Sequence, residues 1–443
     1  MSSGPAYGLL LAFSTLSSYG CAIAMGREGA RRRRWLLLAL LLNLGLLFVF
    51  KYFDFFSSSA DLLLGRLGLP SPGLRLNLLL PAGISFFTFQ SAGYLMDVYR
   101  GKVQAERNLL NYALFVAFFP QLLAGPIGRA DALLPQLKER RRFSDENLKA
   151  GGMRILWGVV KKLMVADRLA VIVNTAFVDV WAFNGGQLFV AAFCYSIQIY
   201  CDFSAYSDIA IGSARLLGVE LTENFHVPYA ARSINEFWQR WHISLSTWFR
   251  DYLYFPLGGN RVSRLRHCLN LLIVFAVSGL WHGAAFTFII WGLIHGLLQV
   301  GGVLLRPLQQ RLYRLVPREN PLLRFLSWLG VFLLVTAAWV FFRADSVEQA
   351  LYVLREAARF PLQGYIPAVA PLGLDRTMQL VTAVSTVLVL TAEGLDRKLT
   401  LFERLRRHDI LRYVVYFLLL LFTLIYGAYG SGFDAQDFVY FRF

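Results

Sequence analysis

Charge is scarce in this 443-residue chain: acidic and basic side chains together make up 16% of it. That is too little to solvate the surface of a soluble protein of this size, which would form two or three domains. The motifs of soluble enzymes are missing as well. There is no GxSxG elbow, no HExxH pair, no Walker loop and no dinucleotide fingerprint, so these phosphate, zinc and serine-hydrolase chemistries have no foothold. Only four cysteines occur, at 21, 194, 201 and 268, without CxxC spacing. They lie in or beside apolar segments and read as small packing residues. Histidine occurs six times. A zinc site on His242 and His282 would need a further ligand at suitable spacing, and none is offered, so no metal is expected. No basic stretch precedes the first apolar run, so that run reads as a retained helix rather than a cleaved signal.

What the chain has in quantity is apolar surface: 56% of its residues, 37 of them phenylalanine, with mean hydropathy +0.50. Long apolar runs predict spans near 6–25, 35–53, 77–97, 109–124, 153–180, 186–215, 268–280, 283–304, 325–344, 376–395 and 411–429. A run of roughly 20 residues crosses a bilayer as a helix, and helices satisfy their own backbone groups in lipid. The expected fold is therefore all-α and polytopic, in the lipid bilayer. No repeat of fixed period stands out.

The net charge of +16 is gathered into clusters between the apolar runs: Arg31 to Arg34, Lys138 to Arg142, Arg261 to Arg266, Arg306 to Arg318, and Arg397 to Arg412. This is the pattern of cytoplasmic loops. No basic face pairs with an aromatic platform, so nucleic acid is not an expected partner. The clusters place both termini outside the cytoplasm. They also make 268–304 a helical hairpin turning at SGLWHGAAF. Two segments fit no clean span: 118–134, broken by Pro120, Gly125 and Pro126, and 224–261, rich in Trp, Arg, Asp and His. Such backbone survives at membrane depth only when covered by protein or lining a cavity. Both read as re-entrant or interfacial.

Within these frames a few residues could do chemistry. His282 sits alone among apolar residues of the hairpin, where an ionisable group is a functional candidate by default. It could act as a general base, or it could be packed with one ring nitrogen on a carbonyl. Gly279 and Gly283 beside it would leave room for a substrate. His242, in FWQRWHISLSTWFRDYLY, could be a second site residue or an interface anchor. Arg240, Arg250 and Asp251 near it could form a structural ion-pair network. His295 reads as packed between helices. Asp202 and Tyr206 share one helical face. Intramembrane carboxylates are rare, so that face should point at a cavity or pair with a buried arginine.

These stretches resemble the membrane-bound O-acyltransferase family, and within it the branch of bacterial alginate O-acetyltransferase membrane subunits. The resemblance is carried by PAGISFFTFQSAGYLMDVYRG, FFPQLLAGPIGR, VVKKLMVADRLA, QIYCDFSAYSDIAIG, NFHVPYAARSINEFWQRWHISLSTWFRDYLYFPLGGNR, SGLWHGAAFTFIIWGLIHG and FFRADSVEQAL. It covers most of the chain from about residue 31. It implies one domain over 1–443, a ring of about ten to eleven tilted helices around a central tunnel, with 224–261 as a cytoplasmic-side signature segment. The family's near-invariant histidine matches His282, and its second signature histidine matches His242. Trp241, Trp281, Arg250, Asp251, Arg261, Asp202 and Tyr206 are the expected lining of the substrate path.

The same resemblance implies an enzyme of the bacterial inner membrane that passes an acyl group outward to an esterase-like SGNH partner. That partner would acylate a polysaccharide within a synthesis and export complex. LGGNR at Leu257 to Arg261, with KKLMVADRLA, favours acetyl-CoA as donor, with no bound cofactor, over the D-alanyl donor of teichoic-acid relatives. Arg250, Arg261 and RVSRLRH are placed to meet the CoA phosphates. A transporter, or a scaffold of the export complex, remains the alternative class. The tail segment 430–443 ends in FVYFRF, where Phe438, Tyr440 and Phe443 fit the spacing of peptides linked to acyl relay in related systems. Tyr440 is the one nucleophile there and the expected acyl carrier; the aromatics could instead belt the outer interface.

Overall fold

The computed structural model describes residues 5–27, 31–359, 372–399, 404–405, 407–429 and 438–439. Tyr440 and Phe443 lie outside the described residues, as do 430–437. The described residues are mostly helical, with no strand among them. Among the described residues, eight helices are long and apolar enough to cross a membrane. The chain divides into two compact units: 1–147 with 213–222 and 283–285, and 148–212 with 223–282 and 286–443.

In the first unit, Pro5–Arg27 is followed by an uninterrupted helical run from Arg32 to Arg66 that passes through a π-turn at Phe48–Tyr52. This run is 35 residues long and outlasts the expected 35–53 span. The next helix begins only at Ile84 and runs to Tyr99, with nearly every side chain buried. The run expected at 109–124 is cut. Asn108 caps a short helix, Leu109–Val116, by accepting from the amides of Leu110 and Asn111. Phe118 is then extended, and Phe119–Leu122 forms a single turn. Pro120 explains the break, because it has no amide to donate to the Val116 carbonyl four residues earlier and its ring would clash with that oxygen in a continuous helix.

In the second unit, helix continues from Asp145 through a π-turn at Lys161–Ala166 to Val178. Against it lies the 32-residue helix Gly185–Leu216. The expected hairpin is present as Arg264–His282 and Phe286–Leu304. Its two helices approach backbone to backbone: a Cβ on Gly279 would stand 2.2 Å from the carbonyl oxygen of Phe288, and one on Gly292 would stand 2.2 Å from that of Phe275. Small residues permit such contacts in lipid. The space at Gly279 is thus filled by the neighbouring helix and is not room for a substrate, which corrects the expectation for that glycine. Pro321–Arg343, Val347–Arg359, Arg376–Leu399 and Asp409–Tyr426 complete the unit.

Buried charges link three of these helices. Lys161, 2% exposed, lies 2.5 Å from Asp208, 3.0 Å from Glu393 and 2.9 Å from the Ser204 hydroxyl. Asp208 also accepts from Arg154 at 2.9 Å, and Tyr200 donates to Glu393 at 2.5 Å. Asp208, a second carboxylate in the QIYCDFSAYSDIAIG span and off the face of Asp202 and Tyr206, is paired with Arg154 and Lys161. Charges in an apolar core persist when each is paired and hydrogen-bonded.

Candidate active site

The segment 224–261 folds as a chain of short helices: Pro228–Ala230, Ile234–Arg240, Ile243–Phe249 and the π-turn Arg250–Tyr254. Ser233 starts the second by accepting from the Glu236 amide, and the Glu236 carboxylate reaches back to the Arg232 amide. This reciprocal arrangement resembles a capping box. Between the second and third helices stand Trp241 and His242. His242 has a left-handed backbone, φ +43°, rare outside glycine and concentrated at functional positions.

Asn224 holds it there. Its main-chain oxygen accepts from Ile243 N at 2.9 Å, and its Oδ1 accepts from Ser244 N at 3.2 Å and Ser244 Oγ at 2.9 Å. Its Nδ2 donates to Ser207. The amide orientation is thereby set, so His242 Nδ1, 3.1 Å from Oδ1, is the protonated nitrogen and Nε2 carries the lone pair. His242 lies outside the eight spanning helices, and burial pushes its imidazole down to about 3, so it is neutral near pH 7. Asn224 escaped the sequence reading, since a lone asparagine beside aromatics carries no signature.

His282 closes the first hairpin helix and is buried. Its ring centroid is 6.4 Å from that of His242, so the structure brings the two expected histidines together. Trp281 at 4.9 Å, Trp291 at 5.1 Å and Phe342 at 5.2 Å surround His282. Trp281 also faces His242, 6.1 Å between centroids. Trp241 packs instead into a neighbouring aromatic cluster with Phe225, Phe237 and Trp339. His295 is fully buried, and its Nδ1 accepts from Trp238 Nε1 at 3.3 Å, which is the packing expected of it.

Beside this pair opens a cavity of about 2270 Å³. Ile243, next in sequence to His242, and Ser278, one turn before His282, contribute to its wall. Seven arginines line it, among them Arg232, Arg250, Arg264, Arg306 and Arg324, against only two glutamates. Arg250 is where the sequence reading wanted it, although its Nε also contacts Asp251 at 2.9 Å. Arg261 is exposed and not part of the wall; Arg264, from the same basic loop, is. Asp251 is likewise outside the lining. His267, the last residue of RVSRLRH, lines the cavity and meets the Tyr254 hydroxyl at 2.9 Å.

Asp202 and Tyr206 form one face, as expected, but what they meet comes from the far end of the chain. Val439 N donates to Asp202 Oδ2 at 2.6 Å. The Phe438 ring meets Tyr206 edge-on at 5.1 Å and lies 4.2 Å from Lys162 Nζ. Phe203, adjacent to Asp202, has its ring 4.7 Å from that of His242. Among the described residues no group of three or more His, Cys, Asp or Glu could hold a metal ion.

The family profile of membrane-bound O-acyltransferases matches residues 103–342, a range that holds both histidines. A probable alginate O-acetylase of Pseudomonas aeruginosa is 42% identical over 347 residues, 77% of this chain and 64% of that protein. A peptidoglycan O-acetyltransferase of Helicobacter pylori is 38% identical over 377 residues, 78% of this chain and 69% of that one. A teichoic acid D-alanyltransferase of Bacillus subtilis is 30% identical over 235 residues, 50% of this chain and 58% of that one. The chain spans about two thirds of the length of the first of these relatives, 64%. The matched profile and these identities together place the chain in the membrane-bound O-acyltransferase family.

Proposed function

We propose that this multi-pass membrane protein is an O-acetyltransferase that takes the acetyl group of acetyl-CoA from the cytoplasm and delivers it outward for O-acetylation of a cell-surface polysaccharide. The observation that carries the reading is the buried imidazole pair, His242 and His282, 6.4 Å apart beside a cavity walled by arginine. Guanidinium groups match phosphate oxygens in geometry and charge, and the CoA portion of the donor carries several phosphates. The rings of Trp281, Trp291 and Phe342 around His282 would keep water from the reacting thioester.

In the reaction, an acceptor hydroxyl oxygen attacks the thioester carbonyl carbon. The C–S bond breaks and the CoA thiolate leaves, taking a proton. The hydroxyl proton passes to His282 as general base, while His242 offers Nε2 to orient donor or acceptor. The acceptor read here is Tyr440 Oη, which then yields the acetyl group to a serine of an extracytoplasmic SGNH-type partner in a polysaccharide synthesis and export complex. Support for Tyr440 is the seating of its neighbours Phe438 and Val439 against Tyr206 and Asp202. The protein is read as resident in a bacterial inner membrane with both termini outside the cytoplasm. Acetyl is preferred to D-alanyl because the relatives named for acetyl transfer align over 77–78% of the chain, against 50% for the D-alanyl one.

The test is His282→Ala in the native host. Loss of polymer acetylation with normal polymer export is the expected result. Loss of export itself would make the protein a transporter, and unchanged acetylation would leave it a scaffold. Tyr440→Phe with full polymer acetylation would remove the relay alone.

A further inference from the structure

Two carboxylates share one lysine in the interior of the second unit. Lys162 Nζ lies 2.8 Å from Asp202 Oδ1 and 2.8 Å from Asp167 Oδ1. All three side chains are buried, at 10%, 3% and 9% exposure. The cluster carries one positive and two negative charges, which is costly in an apolar surrounding unless further donors reach the carboxylates. One further donor is the backbone amide of Val439, on the second oxygen of Asp202 at 2.6 Å. The cation side is used too: Lys162 Nζ stands 4.2 Å from the centroid of the Phe438 ring, within range of a cation–π contact. Tyr206, one helical turn after Asp202, closes on the same ring edge to face.

We propose that Lys162, Asp202 and Tyr206 form a seat that recognises the Phe438–Val439 dipeptide of the tail and sets the position of the residue that follows it. The seat reads two features of the tail, an aromatic ring and a free main-chain amide, and each is met by a different group. It is inseparable from the site already described, because Phe203 follows Asp202 on the helix and presses its ring 4.7 Å from His242. The seat performs no covalent step, so its members are positioning residues. It rests on the reading that Tyr440 carries the acetyl group. Tyr440 is the next residue in the sequence after Val439, so a held Val439 amide anchors the chain immediately before the proposed acyl carrier, consecutive Cα atoms being about 3.8 Å apart. An entropic cost that a swinging tail would meet at each turnover is met once, on docking.

The experiment uses the full chain, purified in detergent, with benzoylphenylalanine in place of Phe438, and variants confined to the tail. On illumination the ring is expected to cross-link to the peptide that carries Asp202 and Tyr206. Val439→Pro removes the amide donor without touching the spanning helices. It is expected to abolish that cross-link and, in the unlabelled chain, to lower acetyl transfer roughly tenfold or more, the scale of a hydrogen bond to a charged group. Val439→Leu, which keeps the amide, is expected to retain the cross-link. No cross-link to that helix in the native background, or Val439→Pro that keeps both cross-link and transfer, overturns the seat. The relay is judged separately by Tyr440→Phe, which keeps the cross-link. If transfer also persists in that variant, the seat stands and the relay falls.

Discussion

One oxygen of Asn224 organises the loop around His242. Asn224 Oδ1 takes His242 Nδ1 at 3.1 Å together with the amide and hydroxyl of Ser244. This set of bonds offsets the cost of a left-handed backbone at His242, which amounts to about 1–3 kcal/mol. Asn224→Ala leaves these buried donors facing a methyl group, at about 1–3 kcal/mol for each group left unmade. It should lower kcat by about 10²-fold through misplacement while the protein still inserts. A kcat within twofold of native, measured by release of the CoA thiol from acetyl-CoA, would show that His242 does not depend on Asn224.

The arginine wall should act on donor binding more than on chemistry. Arg250→Ala with Arg264→Ala is expected to raise KM for acetyl-CoA about tenfold or more, with a smaller fall in kcat, the pattern of a uniform binding contribution. The effect should shrink for a short thioester that lacks the nucleotide. Equal KM values for both donors in the double variant would place the CoA phosphates elsewhere.

Because burial holds the His242 imidazole down at about 3, proton uptake there sets in only well below the usual histidine range. Between about pH 5 and 8 the group stays neutral. His242→Gln should therefore lower the rate without changing the shape of the pH profile over that range. An acidic limb that disappears with the substitution would mean that His242 titrates during turnover.

The hairpin should be intolerant of volume at its crossing. Gly279→Ala would set a Cβ 2.2 Å from a backbone oxygen, which the helices can only relieve by separating. An overpacked contact costs about 1–3 kcal/mol, and a lower thermal midpoint in detergent is the readout. Gly301→Ala, where nothing lies within 4 Å, is the control and should be neutral or slightly stabilising.

The Lys161 network makes a strong double-mutant test. Lys161→Met takes the lysine away from Glu393, which keeps only the Tyr200 hydroxyl, while Asp208 keeps Arg154, and should cost about 3–5 kcal/mol. Adding Glu393→Gln should recover part of that loss, because the second substitution removes one stranded charge. Additive losses across the pair would show that the two groups do not interact.

Much of the fold was readable before any coordinates. The hairpin at 268–304 followed from basic loops at both of its ends, and 118–134 stood out as irregular from Pro120, Gly125 and Pro126, although the span expected at 109–124 ends at Val116. His282 stood out because an ionisable residue in an apolar run has few innocuous explanations. Other features gave weak signals or none. Lys161 and Lys162 were read only as part of a motif, although two lysines in an apolar run are as unusual as the carboxylates they pair with. Gly279 was read as room for a substrate, because a sequence does not say whether a missing side chain is filled by ligand or by helix. Arg306 and Arg318 looked like ordinary cytoplasmic charges, but both line the cavity.

The sequence by itself determined that this chain spans a membrane as helices. Lipid offers the backbone no hydrogen bonds, and only helices satisfy their own over such apolar lengths. It also determined which few residues are chemically out of place there. The tertiary structure alone decided what they meet. His242 and His282 are 40 residues apart in sequence, and their rings are 6.4 Å apart in space. Asp202 and Val439 are separated by 237 residues and joined by one hydrogen bond. Such pairings depend on how separate helices pack, and helical periodicity carries information only about neighbours within a turn or two.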